Sequence, residues 1–356
     1  RQTGPYTLGD IARALGLAPE GDADLLIAGA AEPDDAGPRD LAIATTPAYA
    51  ERLTQGGARA ALLWEGADWR ALGLDGAICP PRPRYALSTV TATFDPGPGF
   101  PAGRHPSAVI DPAADLAPDV VVGALAVIEA GARIGAGSVI GPQAYVGADA
   151  VIGPGALLRE GARIGARVRI GARFTAQPGA VVGSDGFSFV TPEVSDVERA
   201  RASLGEDTGG GAAQPWARIH SLGAVTIGDD VEIGANACID RGKFADTRVG
   251  KQCKLDNLVQ IGHNCDIGDM VLIAGATGIA GSVTIGAGCM IGGMVACKDH
   301  VTIGANARIA GGAQIAGNVP EGETYAGSPA RPIGEAKREV FALKKLPEAL
   351  KRIPRG

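Results

Sequence analysis

Aromatic residues are scarce in this chain. They make up 4% of 356 residues, against 46% for all hydrophobic types. A core of stacked rings is thereby excluded, and the interior must be filled by Val, Ile, Leu and Ala. Basic residues are not in excess either: 33 Lys and Arg stand against 39 Asp and Glu, for a net charge of −6. A nucleic-acid binder would usually be basic. No stretch of 18 apolar residues occurs, so no membrane-spanning helix is expected. The opening RQTGPYTLGDIARAL lacks the apolar core of a secretory signal. The six cysteines form no CxxC pair, which argues against a structural zinc site. Five of them sit inside a repetitive apolar pattern, as reduced, buried thiols of a cytoplasmic protein would. No phosphate-binding or dinucleotide fingerprint stands between a strand and a helix.

Glycine, by contrast, is abundant: 54 residues, about 15% and roughly twice the usual ~7%. There is no strict Gly-X-Y, so collagen is excluded. The glycines belong to a period of six. From Ile110 an aliphatic residue returns as Leu116, Val122, Ile128, Ile134, Ile140, Val146, Ile152, Leu158, Ile164 and Ile170. Ala176 is a weak member and Val182 closes the run. The pattern resumes at Ile227, Ile233 and Ile239, slips by four residues, and continues from Val249 to Ile315. A Gly or another small residue usually follows the aliphatic one, where it lets the chain turn. Six is not a multiple of 3.6, so a helix would smear these residues around its surface. Six is a multiple of two, so a strand keeps them on one face. Short strands turning repeatedly predict a solenoid of parallel strands whose coils stack ~4.8 Å apart.

The solenoid is interrupted twice. Residues 183–224 have no period and should protrude, and residues 240–248 form a smaller bulge. Loops ejected from a rigid scaffold usually carry function or oligomer contacts. Residues 1–100 combine a helical opening, LGDIARALGL, with the short apolar runs LLIAGA, LAIA and AALLW, and read as a small α/β domain. A Pro-rich linker separates it from the solenoid, residues 101–333. Residues 334–356 read as an amphipathic helical tail, bent or broken at Pro347. From Arg331 to Gly356 eight basic residues face three acidic ones. Such a surface either packs on its own oligomer or docks an acidic partner.

Residues able to do chemistry are few. Of the four histidines, His105 and His220 lie in the linker and the long loop, where structural roles are the ordinary reading. His263 and His300 lie within the solenoid at positions three and four of their hexapeptides, outside the inward slot. They are 37 residues apart, so two coils place them about 10 Å apart along the axis. That is too far for a bonded dyad but suits two ends of one reacting substrate. Around the first, KLDNLVQIGHNCDIGD gathers Asp256, Asn257, Gln260, His263 and Asn264 on a surface otherwise made of Ala, Gly and Val. Unperturbed histidine titrates near ~6.5, which suits general-base work, and a nearby carboxylate can hold its tautomer. Three-histidine zinc chemistry lacks a close histidine pair here. Cys265 falls on an inward register position and reads as core, not nucleophile.

The hexapeptides resemble those of the hexapeptide-repeat acyltransferases, which implies a left-handed triangular β-helix with 18 residues per coil. More specific strings are GSDGF at 183–187, EIGANACIDRG at 232–242, LDNLVQIGHNCDIGD at 255–269 and IAGSVTIG at 279–286. With the N-terminal α/β domain and the C-terminal helix, they resemble the UDP-3-O-(3-hydroxyacyl)glucosamine N-acyltransferase branch of lipid A biosynthesis. The resemblance implies transfer of a 3-hydroxyacyl chain from acyl carrier protein to the 2-amine of a UDP-acylglucosamine. It implies a homotrimer with sites between subunits, no covalent intermediate, no metal, and no cofactor beyond the phosphopantetheine that carries the donor.

The same resemblance assigns roles. His263 matches the general base, Asp256 its supporting carboxylate, and Gly281 the backbone oxyanion donor. His300 matches a second active-site histidine, and Asn257 and Gln260 fall within the substrate-binding motif. In the N-terminal domain the branch grips uracil with Phe, Asn and Tyr. Here Tyr49 is present, but Ile43 and Thr46 replace the other two, so a one-sided nucleotide pocket or a different sugar is expected. Two related readings stay open: a CoA-dependent sugar-nucleotide N-acetyltransferase, and acylation of a 2-amino-3-acylamido UDP-sugar. The motif GSPARP at 327–332 does not separate them. A non-catalytic solenoid scaffold is the reading from another class.

Overall fold

The computed structural model describes residues 3–203, 205–207, 209–327 and 333–351. The chain forms two compact units, residues 1–99 and 100–356. The first is a five-stranded sheet in the order 20–21, 76–78, 60–62, 40–43, 29–31. Its outer pair is antiparallel and the other neighbours are parallel. Side chains alternate along these strands. Leu41, Leu62 and Ile78 face helices Leu8–Ala14 and Pro83–Phe94, while Ala42, Ala61 and Ala77 face Leu74 and Trp69 on the other side. The helix Pro83–Phe94 has no counterpart in the sequence reading. Its opening Pro83 stands where a missing N–H costs nothing.

The second unit is the parallel solenoid. Among the described residues, its strands fall into three parallel sheets of ten, ten and nine. Each sheet is one face, and partners within it are 18 residues apart, as Val127 opposite Tyr145 and Arg133 opposite Val151. Most strands are two residues long: the first points outward and the second, an aliphatic residue, is buried. A small residue two positions before the aliphatic one is buried too, as with Ala126, Ala132 and Ala144. The weak repeat at Ala176 is compensated locally. Phe174, fully buried, occupies the preceding small slot, so volume moves by two residues and stays on the inward side.

Glycine has a different reason from the one the period suggested. The residue after each aliphatic one is where successive coils touch backbone to backbone. A Cβ at Gly153 would lie 2.6 Å from the Gly171 carbonyl carbon, and one at Gly135 would lie 2.6 Å from the Pro154 nitrogen. The left-handed turn comes two residues later, mostly at non-glycine positions: Gln143, Asp149, Arg167, Asn264, Ser282 and His300 all have φ between 54 and 62°. Each such residue costs roughly 1–2 kcal/mol, offset by the stacked ladder above and below.

Both interruptions leave the second face at successive coils. The strand Val181–Asp185 pairs with Cys238–Arg241, so Ser184 lies opposite Asp240. The long excursion carries an antiparallel pair, Phe189–Val190 with Ala217–Arg218, and a helix, Asp196–Ala202. All six cysteines are free, and Cys238 is half-buried at an outward position rather than in the core. The final helix, Ile333–Lys351, runs through Pro347 instead of ending there. Pro347 removes the one bond that an N–H there would have donated to the Leu343 carbonyl, and the helix continues past it. The motif residues 328–332 and the tail residues 352–356 lie outside the described residues. No described helix is long and apolar enough to cross a membrane.

The stacking rule is directly testable. Gly153→Ala is expected to cost about 1–3 kcal/mol in urea unfolding, as overpacking does. Gly317→Ala, whose Cβ meets nothing within 4 Å, should stay within ~0.5 kcal/mol. Equal stability of the two variants would remove the close-approach explanation.

Candidate active site

The solenoid's second face ends at a corner formed by Gly262, His263 and Asn264. Gly262 continues the backbone contact between coils, and Asn264 takes the left-handed turn, φ 60°. Asn tolerates that conformation better than most residues. His263 is left between them, half-buried and pointing out of the core.

Its ring is held on three sides. Nδ1 lies 3.1 Å from Asn264 Oδ1. The Asn264 amide cannot turn over, because its Oδ1 accepts from the Lys243 N–H at 3.0 Å and its Nδ2 donates to the Ala245 carbonyl at 3.2 Å. The Asn264 N–H in turn donates to the buried Thr247 hydroxyl at 2.8 Å. Assigned from this network, Nδ1 carries the hydrogen and Nε2 offers its lone pair. The Cδ2 side is covered by the long excursion. A Cβ at Gly186 would fall 2.7 Å from His263 Cβ and 2.9 Å from Cδ2. The Cε1–Nε2 edge lies on Gly281 of the next coil, where a Cβ would fall 2.6 Å from Cε1 and 2.8 Å from Nε2. Glycine at 186 and 281 is what lets backbone approach the imidazole. Among the described residues the Gly281 N–H donates to nothing.

Asp240, not Asp256, lies one strand spacing above this corner. Asp256 occupies the preceding corner of the coil. There its oxygens accept from the Asn257 N–H at 2.7 Å and the Gly275 N–H at 3.0 Å, so it fastens one coil to the next. Asn257 does the same, accepting from the Ala235 N–H at 2.7 Å. Asp240 is half-buried and accepts from Ser184 Oγ at 2.7 Å and from Gln260 Nε2 at 3.0 Å. Burial pushes its carboxyl above the usual range, and the bonds from Ser184 and Gln260 and the charge of His263 pull the other way. Sequence reasoning passed over Asp240. The string Ile239-Asp240 does not mark it, because Asp111, Glu129 and Asp256 also follow an inward aliphatic.

His300 stands two coils below His263 in the same corner column. The Ser282 N–H donates to the His263 carbonyl at 2.8 Å, and the His300 N–H to the Gly281 carbonyl at 3.2 Å. His300 is exposed, with φ 57°. Cys265 is buried, its thiol pushed up to about 12 by desolvation and directed at the Ala280 carbonyl. It is neutral and core-bound, so it offers no nucleophile. No group of three metal-ligating side chains occurs among the described residues.

In the N-terminal unit, Ile43, Thr46 and Tyr49 cluster at the carboxyl end of the strand Asp40–Ile43. Ile43 is half-buried against the core, and Thr46 caps the short helix Pro47–Ala50 through the Tyr49 N–H at 3.4 Å. Tyr49 alone presents a free ring. The Arg52 guanidinium lies 5.7 Å from its centroid and is itself bonded to both oxygens of Asp34.

Comparison with known proteins bears on the family of the chain. A family model described as bacterial transferase hexapeptide (six repeats) matches residues 131–166. A UDP-3-O-acylglucosamine N-acyltransferase of Ruegeria pomeroyi is 58% identical over 274 residues, covering 77% of this chain and 75% of the relative. Its namesake from Paracoccus denitrificans is 57% identical over 276 residues, covering 78% and 75%. Among solved structures, an Arabidopsis UDP-N-acetylglucosamine acyltransferase superposes with a TM-score of 0.52 at 22% identity, over 68% of this chain and 79% of that one. That likeness is one of fold alone. With more than half the residues shared over most of both chains, this acyltransferase belongs to the UDP-3-O-acylglucosamine N-acyltransferase family.

Proposed function

We propose that the chain transfers a 3-hydroxyacyl group from acyl carrier protein to the 2-amine of a UDP-3-O-acylglucosamine, with His263 as general base. The observation that carries this reading is the imidazole itself. Its Nδ1 is engaged by Asn264, its Nε2 edge lies against Gly281, and among the described residues the Gly281 N–H has no partner. Aminolysis of a thioester needs a base for the amine proton and a donor for the carbonyl oxygen, and these two lie on adjacent coils. The amine nitrogen attacks the thioester carbon while Nε2 takes its proton. The Gly281 N–H donates to the oxyanion, a contribution of order 3 kcal/mol in comparable sites. The carbon–sulfur bond then breaks, and the imidazolium returns the proton to the leaving thiolate. No enzyme nucleophile takes part, in keeping with the neutral, buried Cys265.

The uracil end falls to Tyr49, with Ile43 and Thr46 beside it, and His300 is placed to contact the donor arm two coils from the base. The sites lie between subunits of a trimer in this reading. The basic helix Ile333–Lys351 suits an acidic carrier protein: Lys344 and Lys345 are both exposed. Lipid A assembly, and a cytoplasmic setting, follow from the same reading.

Three outcomes test it. With a hydroxyacyl carrier protein and UDP-3-O-acylglucosamine, His263→Ala is expected to lose about 10²–10⁴-fold in turnover. A loss under ~10-fold is too small for a positioned base, and faster turnover with acetyl-CoA would reassign the donor. Gly281→Ala should lower kcat at least ~10-fold, because its Cβ would collide with the imidazole. Retention of full activity would remove Gly281 from the site. The double variant Lys344→Glu, Lys345→Glu should raise the carrier-protein KM several-fold at low salt and leave kcat with saturating donor unchanged. Unaltered KM would exclude the helix from docking.

A further inference from the structure

We propose that Asp240 is the positioning carboxylate of this site: held one coil above His263, it stabilises the positive charge that the imidazole acquires on taking the amine proton. The inference rests on the general-base reading of His263 and names the group that makes that base effective.

The placement is a matter of register. Cys238 pairs with Gln260 and Ile239 with Ile261, which sets Asp240 one strand spacing, ~4.8 Å, above Gly262. His263 is the next residue. In this face the same level holds glycine at Gly147, Gly165, Gly183 and Gly262 and a side chain at Glu129, Asp240 and Lys298. At Asp240 the chain also departs from the coil. The strand extends to Arg241, pairs with Ser184 and Asp185, and only returns at Thr247. The side chain at this departure is an acid, although Ala or Ser would fit with less desolvation.

Its hydrogen bonds leave its charge uncompensated. All three partners, Ser184 Oγ, Gln260 Nε2 and the Cys238 thiol, are neutral donors. The adjacent Arg241 is turned away, with Nε on the Gly183 carbonyl at 2.9 Å and Nη2 on the Ala166 carbonyl at 3.1 Å. Among the described residues no Lys or Arg forms an ion pair with Asp240. A half-buried carboxylate without a cation is costly unless a positive charge arrives during function, and His263 is the neighbour that acquires one.

The other titratable groups on the segments around this corner are Asp185, Arg241, Lys243, Asp246, Lys298, Asp299 and His300, with Lys298 two coils below Gly262. Asp185 lies 3.9 Å from Arg241. Asp246 is held by the Ala224 N–H and the Thr226 hydroxyl. Asp299 has a partner of its own. Lys243 meets the site through its backbone N–H, and His300 is two coils down. During the reaction the proton passes from the amine to Nε2 and on to the thiolate, and Asp240 stays ionised throughout.

The test compares Asp240→Asn with Asp240→Glu, Asp256→Asn and His263→Ala in full pH profiles with acyl carrier protein donor. Asparagine keeps the shape and can still accept from Ser184. It is expected to lower kcat by roughly 10–100-fold, to change either KM less than ~3-fold, and to move the acid limb of kcat/KM about one unit to lower pH. The acceptor amine titrates identically in every variant, so the displacement belongs to the enzyme. Asp240→Glu keeps the charge on a longer stem and should hold the limb at its wild-type pH while lowering kcat. Asp256→Asn should leave the limb unmoved. The proposal is overturned by an unmoved limb in Asp240→Asn, by a loss confined to KM, by a Glu variant that behaves like Asn, or by an Asn variant that no longer folds. Full turnover in His263→Ala is a separate result, which removes the base and not merely its partner.

Discussion

Successive coils of the solenoid touch along their backbones, and that contact decides where a functional group can stand. At the residue after each inward aliphatic, a Cβ would lie 2.5–2.8 Å from the next coil at Gly123, Gly135, Gly147 and Gly153. At those four glycines a side chain would run into the neighbouring coil. The aliphatic slot and the small slot two residues before it are filled by core. The groups of this site stand at the corner and on the outward strand position: His263 and His300 at corners, Gln260 on the outward strand position. Asp240 follows an inward core residue, as Glu129, Asp256 and Lys298 also do, and it alone of these stands where the backbone leaves the coil.

The energetics follow the same line. A period-six core needs no polar group, and the buried polar side chains away from the site, such as Ser138 and Thr277, bond to backbone. Asp240 is different. Its folded carboxyl titrates above its unfolded range, so its neutral form contributes stability that is present at low pH and is lost as pH rises through the folded value. At neutral pH its ionised form therefore costs stability. Functional sites are where such costs are retained. Asn264 is a smaller instance: it holds a left-handed corner that glycine would occupy without strain, and in return its amide orients the imidazole.

The sequence made the scaffold plain because the period is carried by buried residues, and burial enforces it. The six-residue spacing from Ile110 to Ile315 and the two breaks in it were readable that way. The reason for the glycines was not. A turn and a close approach leave the same residue type in sequence, and only the neighbouring coil tells them apart. The helix Pro83–Phe94 escaped because its apolar residues, such as Ala86 and Val90, are few and flanked by Ser and Thr. Within the site, His263 stood out as a polar residue in an apolar repeat. Asp256 is its partner by resemblance to the family, yet a corner of the triangle separates them and its oxygens face backbone. Asp240 is 23 residues from His263 across a four-residue slip, so no simple spacing relates them. Only the ladder pairing Ile239 with Ile261 brings them to one corner.

The two excursions solve a problem that a bare solenoid cannot. A side chain on a corner is exposed to water, as His300 is, and exposed charges are screened. Because the excursions leave the second face at consecutive coils, they emerge side by side directly above His263. The longer one lays Gly186 against the ring, fastened by its N–H to the Ser221 hydroxyl at 3.1 Å. The shorter one returns through Lys243 and Ala245 to grip Asn264. One corner of a repetitive rod thereby becomes a half-buried site whose imidazole has one orientation, with a carboxylate on one side and a free amide N–H on the other. Lengthening the solenoid would only have added more corners like that of His300. Interrupting it twice at the same edge changes the local dielectric, and with it the strength of every charge interaction in the site.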